Sequence, residues 1–263
     1  MNATQSSEPQ VVLDPKKFKD QVAIVTGAAQ GIGHMVAQLF AAQGASVVLF
    51  DINKEGVKKV QQLLLAQGGV VSHRICDVTD EKQVHETINE VVATLGKVDI
   101  LAHLAGIYPA KPLLEVNLAE YRNIFHVNMD SCFFLTQAIL PHMQKRGYGR
   151  IINTSSQTII KPEPGLVVYA ASKGAVAAFT RALATETGPG ITANFVSPTL
   201  IATERTQSSE HAAPLFAKML AQQCVKRVGL PQDVAHAIMY IASPEAGFIT
   251  GQMFDISGGS SFN

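Results

Sequence analysis

The sequence predicts a single α/β domain built on a doubly wound parallel sheet of about seven strands, flanked by helices on both sides. Short apolar runs alternate with helical patterns along the 263 residues. The apolar runs are continuous rather than alternating, which is typical of strands that are covered on both faces. No linker, repeat or low-complexity tract interrupts this alternation, so one folded unit is expected.

The individual elements follow from the same patterns. Apolar and β-branched runs predict buried strands at 22–26, 46–50, 99–104, 150–155, 192–197 and 253–257, with a weaker candidate at 71–75. Helical patterns fill the intervals at 31–43, 54–67, 80–95, 117–145, 167–187, 212–224 and 232–242. Ligands of such a sheet bind outside the carboxyl ends of the strands, so functional residues are expected directly after strands.

Composition and charge narrow the classes of function. Apolar residues make up 47% of the chain and charged residues 16%, which is typical of a globular protein. Lys plus Arg and Asp plus Glu both total 21, so the formal charge is balanced. This balance argues against a nucleic-acid partner or an anionic membrane surface. It leaves open a small molecule whose phosphates are bound by backbone amides.

The three cysteines, at 76, 132 and 224, form neither a CxxC motif nor a metal-ligand spacing. They predict a reducing compartment, without disulfides and without a zinc site. The chain opens with no basic-then-apolar signal segment, and no apolar run approaches about 18 residues. We therefore expect a soluble cytoplasmic protein that binds no metal and no membrane, with a disordered tail at 1–17 and a folded domain at 18–263.

Three glycines mark the junction between the first strand and the first helix, in the sequence TGAAQGIGH at 26–34. Glycine permits a tight turn and a close approach of the backbone to a phosphate, and the helix that follows offers free N–H groups. The spacing Gly-x-x-x-Gly-x-Gly at this junction predicts a Rossmann-like dinucleotide site. A turn that needs glycines for its geometry alone is the alternative.

Asp51 ends the second strand, about 20 residues after the glycines. A carboxylate at this position accepts hydrogen bonds from ribose hydroxyls and repels a 2′-phosphate, and neither residue 30 nor residue 52 is basic. NAD is therefore predicted over NADP, although Asp51 also suits a cap for the next helix. Asp77 follows the weaker strand, where it suits either an adenine contact or a turn.

A fuller set of motifs resembles the short-chain dehydrogenase/reductase family. The motif Thr26-Gly27-x-x-x-Gly31-x-Gly33 is followed by Asn128, Ser156 and Tyr169-x-x-x-Lys173, and the resemblance covers about residues 18–260. It implies that 18–263 is a catalytic domain that transfers hydride between NAD(H) and an alcohol or ketone. The catalytic residues it implies are Asn128, Ser156, Tyr169 and Lys173. The residues expected to bind the cofactor are Gly27, Gln30, Gly31, Ile32, Gly33, Asp51, Ile52, Asp77, Val78, Ala105, Gly106, Tyr169, Lys173, Pro198, Ile201 and Thr203.

The spacing of Tyr169 and Lys173 places both side chains on one face of a helix, one turn apart. A free tyrosine, with a pKa near ~10, is a poor base, and lowering that pKa to ~7 needs roughly 4 kcal/mol of phenolate stabilisation. The Lys173 ammonium and an oxidised nicotinamide would contribute this, so that Tyr169 takes or returns the alcohol proton. Ser156, preferred to Ser155 because of its spacing from Tyr169, would bind the substrate oxygen. Asn128 would support a water-linked proton path, or else mend a local helix distortion.

Two positions depart from the family's pattern. His103-Leu104 stands where Asn-Asn is usual, and Thr199 stands where a glycine usually follows Pro198. We expect His103 to be packed in the core. The backbone of Ile201 and the hydroxyl of Thr203 are still expected to meet the nicotinamide carboxamide.

The substrate pocket is expected to be lined by Tyr108 and Pro109, by the segment 157–167, and by a lid at 200–224 that carries Leu215, Phe216 and Met219. Lys161 and Arg205 are the nearby cations, and neither forms a paired clamp for an anion. The sequence therefore favours an apolar or aromatic secondary alcohol, with a loop resemblance to the 1-phenylethanol dehydrogenase branch. Polyols, 3-oxoacyl thioesters and hydroxysteroids stay open.

A non-catalytic NAD-binding regulatory protein on the same fold is an alternative of a different class. A binding module has no need of an activated tyrosine, so the complete Asn–Ser–Tyr–Lys set favours an enzyme. The family also implies a homotetramer, or a homodimer, with the helices at 117–145 and 167–187 packing across an interface.

Overall fold

The computed structural model describes residues 14–208 and 212–262. Seven strands form one parallel sheet, in the spatial order β3-β2-β1-β4-β5-β6-β7. They are β1 (Val22–Thr26), β2 (Ser46–Asp51), β3 (Val70–Ile75), β4 (Ile100–His103), β5 (Gly149–Thr154), β6 (Ile191–Pro198) and β7 (Met253–Ile256). The predicted fold class is confirmed, and the weaker strand candidate is the edge strand β3.

Helices cover both faces of this sheet. They are α1 (Gly31–Ala42), α2 (Lys54–Ala66), α3 (Glu81–Leu95), α4 (Leu118–Phe125), α5 (Ser131–Arg146), α6 (Val167–Leu183), α7 (Glu204–Gln207), α8 (Ala212–Gln222) and α9 (Pro231–Ala242). One buried cluster packs α1, α2 and α9 against the sheet, and the other contains side chains of α3, α5 and α6. Apolar strands are therefore covered on both sides, as their continuous runs predicted.

The prediction of one regular helix at 117–145 is wrong in one respect. Helical backbone continues through the region, but His126–Asp130 forms a π-helical turn between α4 and α5. Apolar periodicity does not distinguish a π turn from an α turn, because the two differ by one residue in hydrogen-bond spacing. Asn128 lies inside this turn, and such turns occur frequently at functional sites.

The N-terminal boundary differs from the predicted tail at 1–17. Residues 1–13 lie outside the described residues, but 14–17 form turns that lead into Phe18. Phe18 is fully buried and packs edge-to-face on Phe40 at 5.0 Å between ring centroids. The Lys17 ammonium lies 3.9 Å from the Glu245 carboxylate. Residues 14–17 are thus attached to the domain.

The sheet topology positions the site. Strand order reverses between β1 and β4, which creates a crevice at their carboxyl ends. The glycine turn follows β1, the segment 104–106 follows β4, and Ser155-Ser156 follows β5. Among the described residues, no helix is long and apolar enough to cross a lipid bilayer.

Candidate active site

The glycine turn packs so tightly that side chains are excluded at two of its positions. A Cβ atom on Gly33 would lie 2.1 Å from the carbonyl oxygen of Gly27. A Cβ atom on Gly27 would lie 3.0 Å from the backbone of Ala105, and Gly27 has a φ of 64°. The first turn of α1 is therefore seated directly on the loop that follows β1, with its N-terminus at the crevice.

The N-terminus of α1 already contacts an anionic group of the protein. The backbone N–H of Gly31 donates a hydrogen bond of 3.1 Å to the Glu204 carboxylate, which comes from α7. Free N–H groups and the helix dipole favour negative charge at this position. The carboxylate shows that the turn accommodates an anion, and the pyrophosphate of a dinucleotide fits the same chemistry.

Asp51 joins the end of β2 to the glycine turn. Its carboxylate accepts hydrogen bonds from the backbone N–H groups of Ala29 at 3.0 Å and Asn53 at 2.8 Å. Asn53, not Asp51, caps α2, because its side chain accepts from the N–H of Gly56. The capping alternative for Asp51 is therefore wrong. Ile52 is 69% exposed beside it and offers an apolar surface.

Asp77 lies in a turn after β3. Its Oδ1 accepts hydrogen bonds from the backbone N–H of Thr79 at 2.9 Å and from the Thr79 hydroxyl at 2.7 Å. The neighbouring Val78 is buried in the core. Asp77 therefore acts as a turn residue in this structure, and its contact with adenine stays a prediction.

Tyr169 and Lys173 lie on α6, where it passes the end of β5. The Ser156 side chain lies near the Tyr169 hydroxyl and favours its phenolate form. The Lys173 ammonium lies 6.0 Å from the centre of the Tyr169 ring and donates to the Thr154 carbonyl at 2.9 Å. Ser155 instead donates to the backbone carbonyl of Lys173 at 2.9 Å. Of the two serines, Ser156 is therefore the one that contacts Tyr169.

Burial acts on the protonation of both α6 residues. It raises the pKa of the Tyr169 phenol, the Ser156 hydrogen bond opposes this shift, and Tyr108 adds to it. Burial also lowers the pKa of the Lys173 ammonium to about 8. Without a cofactor, the residues around the phenol thus do not bring its pKa below the ordinary value. The expected stabilisation of the phenolate is left to the positive charge of a bound nicotinamide.

Asn128 connects three elements from inside the π turn. Its Oδ1 accepts from the N–H of Ile107 at 2.9 Å, and its Nδ2 donates to the carbonyl of Ile107 at 2.9 Å and to the Ser172 hydroxyl at 3.0 Å. The amide therefore holds the loop after β4 against α6. Asn128 therefore does more than satisfy the distorted backbone of its own helix, because its partners lie on other segments.

A cavity of about 250 Å³ opens beside Tyr169. Its walls are mostly apolar, with a few polar and charged groups. The lining residues are Ile107, Pro109, Lys111, Val116, Glu120, Asn123, Ile124, Gly165, Val168, Tyr169 and Arg205. Pro109 lines the cavity as predicted, and the 157–167 segment contributes only Gly165. The prediction for Tyr108 is wrong, because its ring packs edge-to-face on that of Tyr169, with 6.5 Å between the ring centres.

The predicted lid residues Leu215, Phe216 and Met219 do not line this cavity. Their helix, α8, is tied instead to the 157–166 segment. Lys218 pairs with Glu163, and Lys161 donates to the Gln222 side chain at 2.7 Å. Within the part of the chain that is described, no group of three His, Cys, Asp or Glu side chains could hold a metal ion.

Comparisons with known proteins identify the family of this chain. The sequence model of a family described as enoyl-(acyl carrier protein) reductase matches residues 27–261. The 3-oxoacyl-[acyl-carrier-protein] reductase FabG of Thermotoga maritima is 35% identical over 92% of this chain and 98% of its own. The 7alpha-hydroxysteroid dehydrogenase of Escherichia coli K12 is 34% identical over 94% and 96%. The chain belongs to the short-chain dehydrogenase/reductase family of oxidoreductases.

A solved structure of the same family has a closely similar fold. It is a 7 alpha-hydroxysteroid dehydrogenase complexed with NADH and 7-oxo glycochenodeoxycholic acid, with a TM-score of 0.88 and 33% sequence identity. The superposition covers 95% of this chain and 98% of that one. The similarity extends over nearly the whole of both chains, so the two proteins share one fold.

His103 replaces the family's usual asparagine inside a hydrogen-bonded chain. The imidazole is 2% exposed; its Nδ1 lies 2.8 Å from the Thr26 hydroxyl and its Nε2 lies 3.0 Å from the Ser131 hydroxyl. Ser131 donates to the Val127 carbonyl, so its oxygen accepts from Nε2–H. Thr26 accepts from the N–H groups of Leu104 and Ala105 and donates to Nδ1.

The imidazole of His103 is therefore neutral and fully hydrogen-bonded in one tautomer. Burial, and to a smaller extent the nearby Lys173 charge, lower its pKa to about 3. The predicted core position is confirmed. The sequence did not indicate that the ring links β1, β4 and α5 through polar contacts.

Gly106 lies in the loop after β4, where a Cβ atom would be 3.3 Å from the Lys173 ammonium.

The segment after β6 lies across the glycine turn in this family member. The N–H of Thr199 donates to the Ile256 carbonyl at 3.2 Å, and Ile201 forms a bridge with Gly229. The Thr203 hydroxyl caps α7, and its methyl group would be 3.2 Å from a Cβ atom on Gly31. This segment brings Pro198, Ile201 and Thr203 to the crevice, where their cofactor contacts stay predictions.

Two residues of α7 were missed as site residues. Glu204 contacts the N-terminus of α1, and Arg205 lines the cavity with its guanidinium 4.7 Å from the centre of the Tyr108 ring. The sequence placed Arg205 near the pocket as an isolated cation but assigned it no role. In the sequence, Glu204 could be suspected as a site residue only because it comes shortly after the end of β6.

Proposed function

We propose that this chain transfers hydride between NAD(H) and a secondary alcohol or its ketone, with Tyr169 as the acid–base residue. The observation that carries the proposal is the placement of Tyr169, which lines a mostly apolar cavity and has Ser156 near its hydroxyl. Lys173 lies one helical turn away. A non-catalytic dinucleotide-binding protein would not require this arrangement.

Each residue has a chemical role in the proposal. In ketone reduction Tyr169 gives its phenolic proton to the carbonyl oxygen, and in alcohol oxidation it takes that proton back. Ser156 donates a hydrogen bond to the same oxygen and stabilises its developing charge. Lys173 binds ribose hydroxyls and so holds the nicotinamide, whose positive charge favours the phenolate. Asn128 positions the loop after β4 and supports a proton path through water. When bound, NAD(H) supplies or accepts the hydride.

The residues present fit a nicotinamide dinucleotide, and we propose NAD rather than NADP. The turn at Gly27, Gly31 and Gly33 and the start of α1 would hold the pyrophosphate. The Asp51 carboxylate would accept from ribose hydroxyls and repel a 2′-phosphate. No lysine or arginine stands at residue 30 or 52 to offset that repulsion. A solved relative was described with NADH.

We propose that the substrate is a compact secondary alcohol with an apolar or aromatic body. Ile107, Val116, Ile124 and Val168 supply the apolar wall of a cavity of about 250 Å³. Burial of an apolar group in such a cavity is favourable, at roughly 25 cal/mol per Å² of surface. Polyols, 3-oxoacyl thioesters and hydroxysteroids are the alternatives in the same reaction class.

We also propose a homotetramer and a cytoplasmic location. Large apolar side chains are exposed on two separate parts of the surface. One part is α4 with α5, through Leu118, Tyr121 and Phe133; the other is α9 with the segment before β7, through Tyr240 and Phe248. Two self-complementary patches are what a tetramer with dihedral symmetry requires. The free cysteines, two of them buried, suit a reducing compartment.

The test follows NADH formation across a panel of secondary alcohols, with NADP as the rival cofactor. We expect turnover with NAD, and Tyr169→Phe is expected to lower kcat by about 10²–10⁴-fold, because it removes the proton donor and keeps the ring. Tyr148→Phe removes a phenolic hydroxyl outside the cavity and outside both apolar patches, and it should behave as wild type.

Clear NADH binding without turnover of any alcohol or ketone would favour the regulatory alternative. A preference for NADP would show that the interpretation of Asp51 is wrong. Undiminished turnover in Tyr169→Phe would assign the proton transfer to another group.

A further inference from the structure

We propose that Arg205 binds a carboxylate at the far end of the substrate, so that the enzyme acts on compact oxo acids or hydroxy acids with an apolar body. This inference rests on the proposed function and names its substrate class more narrowly. The apolar wall holds the body of the molecule, Tyr169 and Ser156 act on its carbonyl, and Arg205 holds its anionic end.

The first step is the placement of Arg205. Arg205 lines the same cavity as Tyr169, although it lies on a different element, α7. Its guanidinium carbon is 4.7 Å from the centre of the Tyr108 ring, which in turn lies 6.5 Å from the Tyr169 ring. The two distances place the cation within roughly 11 Å of the centre of the Tyr169 ring, a span that a small bifunctional molecule can bridge.

The second step is the charge balance around the cavity. Lys111 is paired with Glu120 through two contacts, at 2.7 and 2.9 Å. This hydrogen bond holds the pKa of the Glu120 carboxyl below its ordinary value, so the pair carries no net charge. Lys111 is thus already neutralised by a neighbour that also lines the cavity.

The two remaining lysines on the substrate side are also engaged. Lys161 donates to the Gln222 side chain and to the Ser260 carbonyl, and Lys218 pairs with Glu163. Arg205, by contrast, makes no ion pair with a carboxylate among residues 14–208 and 212–262. Its guanidinium contacts the face of the Tyr108 ring. The cavity therefore has one net positive charge, on Arg205.

The third step is the chemistry of the guanidinium. Arginine presents a planar fork of donors that matches both oxygens of a carboxylate. Contact with an aromatic face limits the positions of the guanidinium and leaves its N–H groups free to donate. A cation whose position is limited before binding loses less conformational entropy when a ligand arrives. Arg205 is in this situation before any substrate binds.

The test compares two keto acids, levulinate and benzoylpropionate, with their primary amides, which match their size and lack their charge. NADH oxidation is followed with the wild type, with Arg205→Gln and with Arg205→Lys. Lys82→Gln is the matched control, because it removes an exposed positive charge that does not line the cavity. An NADH titration of each variant checks that its dinucleotide site is folded.

We expect the wild type to prefer each acid over its amide by about ten-fold or more in kcat/KM, because hydrogen bonds to charged groups contribute that much discrimination. The preference should fall toward one in Arg205→Gln, mainly through KM. It should be partly restored in Arg205→Lys, which keeps the charge without the planar fork. Lys82→Gln should keep the wild-type preference.

Equal kcat/KM for acid and amide in the wild type would overturn the role of Arg205 while leaving the proposed function intact. A preference that survives in Arg205→Gln would do the same. If no ketone of either kind oxidises NADH, both proposals fail together.

A final arm separates a carboxylate from a phosphate as the anion. Acetoacetyl-CoA carries phosphates, and the N-acetylcysteamine thioester of acetoacetate carries no charge. If only the CoA thioester depends on Arg205, and the keto acids do not, the anion is a phosphate and the carboxylate assignment is overturned.

Discussion

At the scale of single residues, Glu204 and Arg205 show how neighbouring side chains serve opposite sides of the crevice. Glu204 reaches the start of α1, while Arg205 reaches the cavity beside Tyr169. A carboxylate at a helix N-terminus is stabilised by free N–H groups and by the helix dipole. The same position is where the pyrophosphate of a dinucleotide is expected, so Glu204 has to give way when the cofactor binds.

Glu204→Gln is therefore expected to tighten NADH binding. The substitution removes the charge that competes for α1 and repels the incoming phosphates, and it retains the size of the side chain. The dissociation constant should fall by about two- to five-fold, since charge at a helix terminus contributes up to about 1 kcal/mol. Fluorescence titration with NADH measures it, and added salt should reduce the difference between variant and wild type.

Glu86→Gln is the control for this comparison, because it removes an exposed carboxylate on α3 that pairs only weakly with Lys82. Its NADH affinity should equal that of the wild type. Unchanged or weaker NADH binding by Glu204→Gln would show that this carboxylate does not compete with the cofactor.

Local pattern and tertiary contact contributed differently to the prediction of the site. Gly27, Asp51, Tyr169 and Lys173 could be named because each belongs to a motif of fixed spacing next to a strand or on a helix. The contact of Glu204 with Gly31 joins residues 173 positions apart, and no periodicity encodes it. Such contacts depend on how a loop folds back over the sheet.

At the scale of elements, the strands could be predicted because buried parallel strands are apolar on both faces. Most helices could be predicted from the helical spacing of their apolar residues. The π turn at His126–Asp130 could not, since its sequence has the same apolar spacing as the helices beside it. Asn128 in this turn donates hydrogen bonds to Ile107, in the loop after β4, and to Ser172, on α6. These contacts join segments that are distant in sequence, so local patterns do not reveal them.

The junction of β1 with α1 leads to a prediction with an internal control. Gly33→Ala would place a methyl group 2.1 Å from the Gly27 carbonyl, so α1 must move away from the turn. We expect a loss of about 1–3 kcal/mol in the free energy of unfolding and a loss of NADH binding. Gly174→Ala, inside α6, meets nothing within 4 Å and should raise that free energy by up to about 1 kcal/mol.

Urea unfolding and NADH titration of both variants check this prediction. Because the two substitutions add the same methyl group inside a helix, their difference isolates the effect of packing at the glycine turn. Wild-type NADH affinity in Gly33→Ala would mean that the close contact with Gly27 is not needed for the dinucleotide site.

At the scale of the whole molecule, the two exposed apolar patches lie on different groups of elements. The patch on α4 and α5 includes Phe133, and the patch on α9 and the segment before β7 includes Phe248, whose side chain is fully exposed in the single chain. Monomeric proteins rarely keep large apolar patches in contact with water. Each patch is therefore expected to be covered by a second copy of the chain.

Phe248→Asp is expected to dissociate the tetramer into dimers without unfolding the protomer. Light scattering on a sizing column should give the wild type a mass four times that of the 28.1 kDa chain, and the variant half of that mass. A carboxylate at the centre of an apolar interface has no partner and carries a large desolvation cost. Leu65→Asp, on the exposed side of α2, introduces the same charge outside both patches and should keep the wild-type mass. A monomeric wild type would refute the proposed tetramer, and an undivided variant would show that Phe248 lies outside the interface.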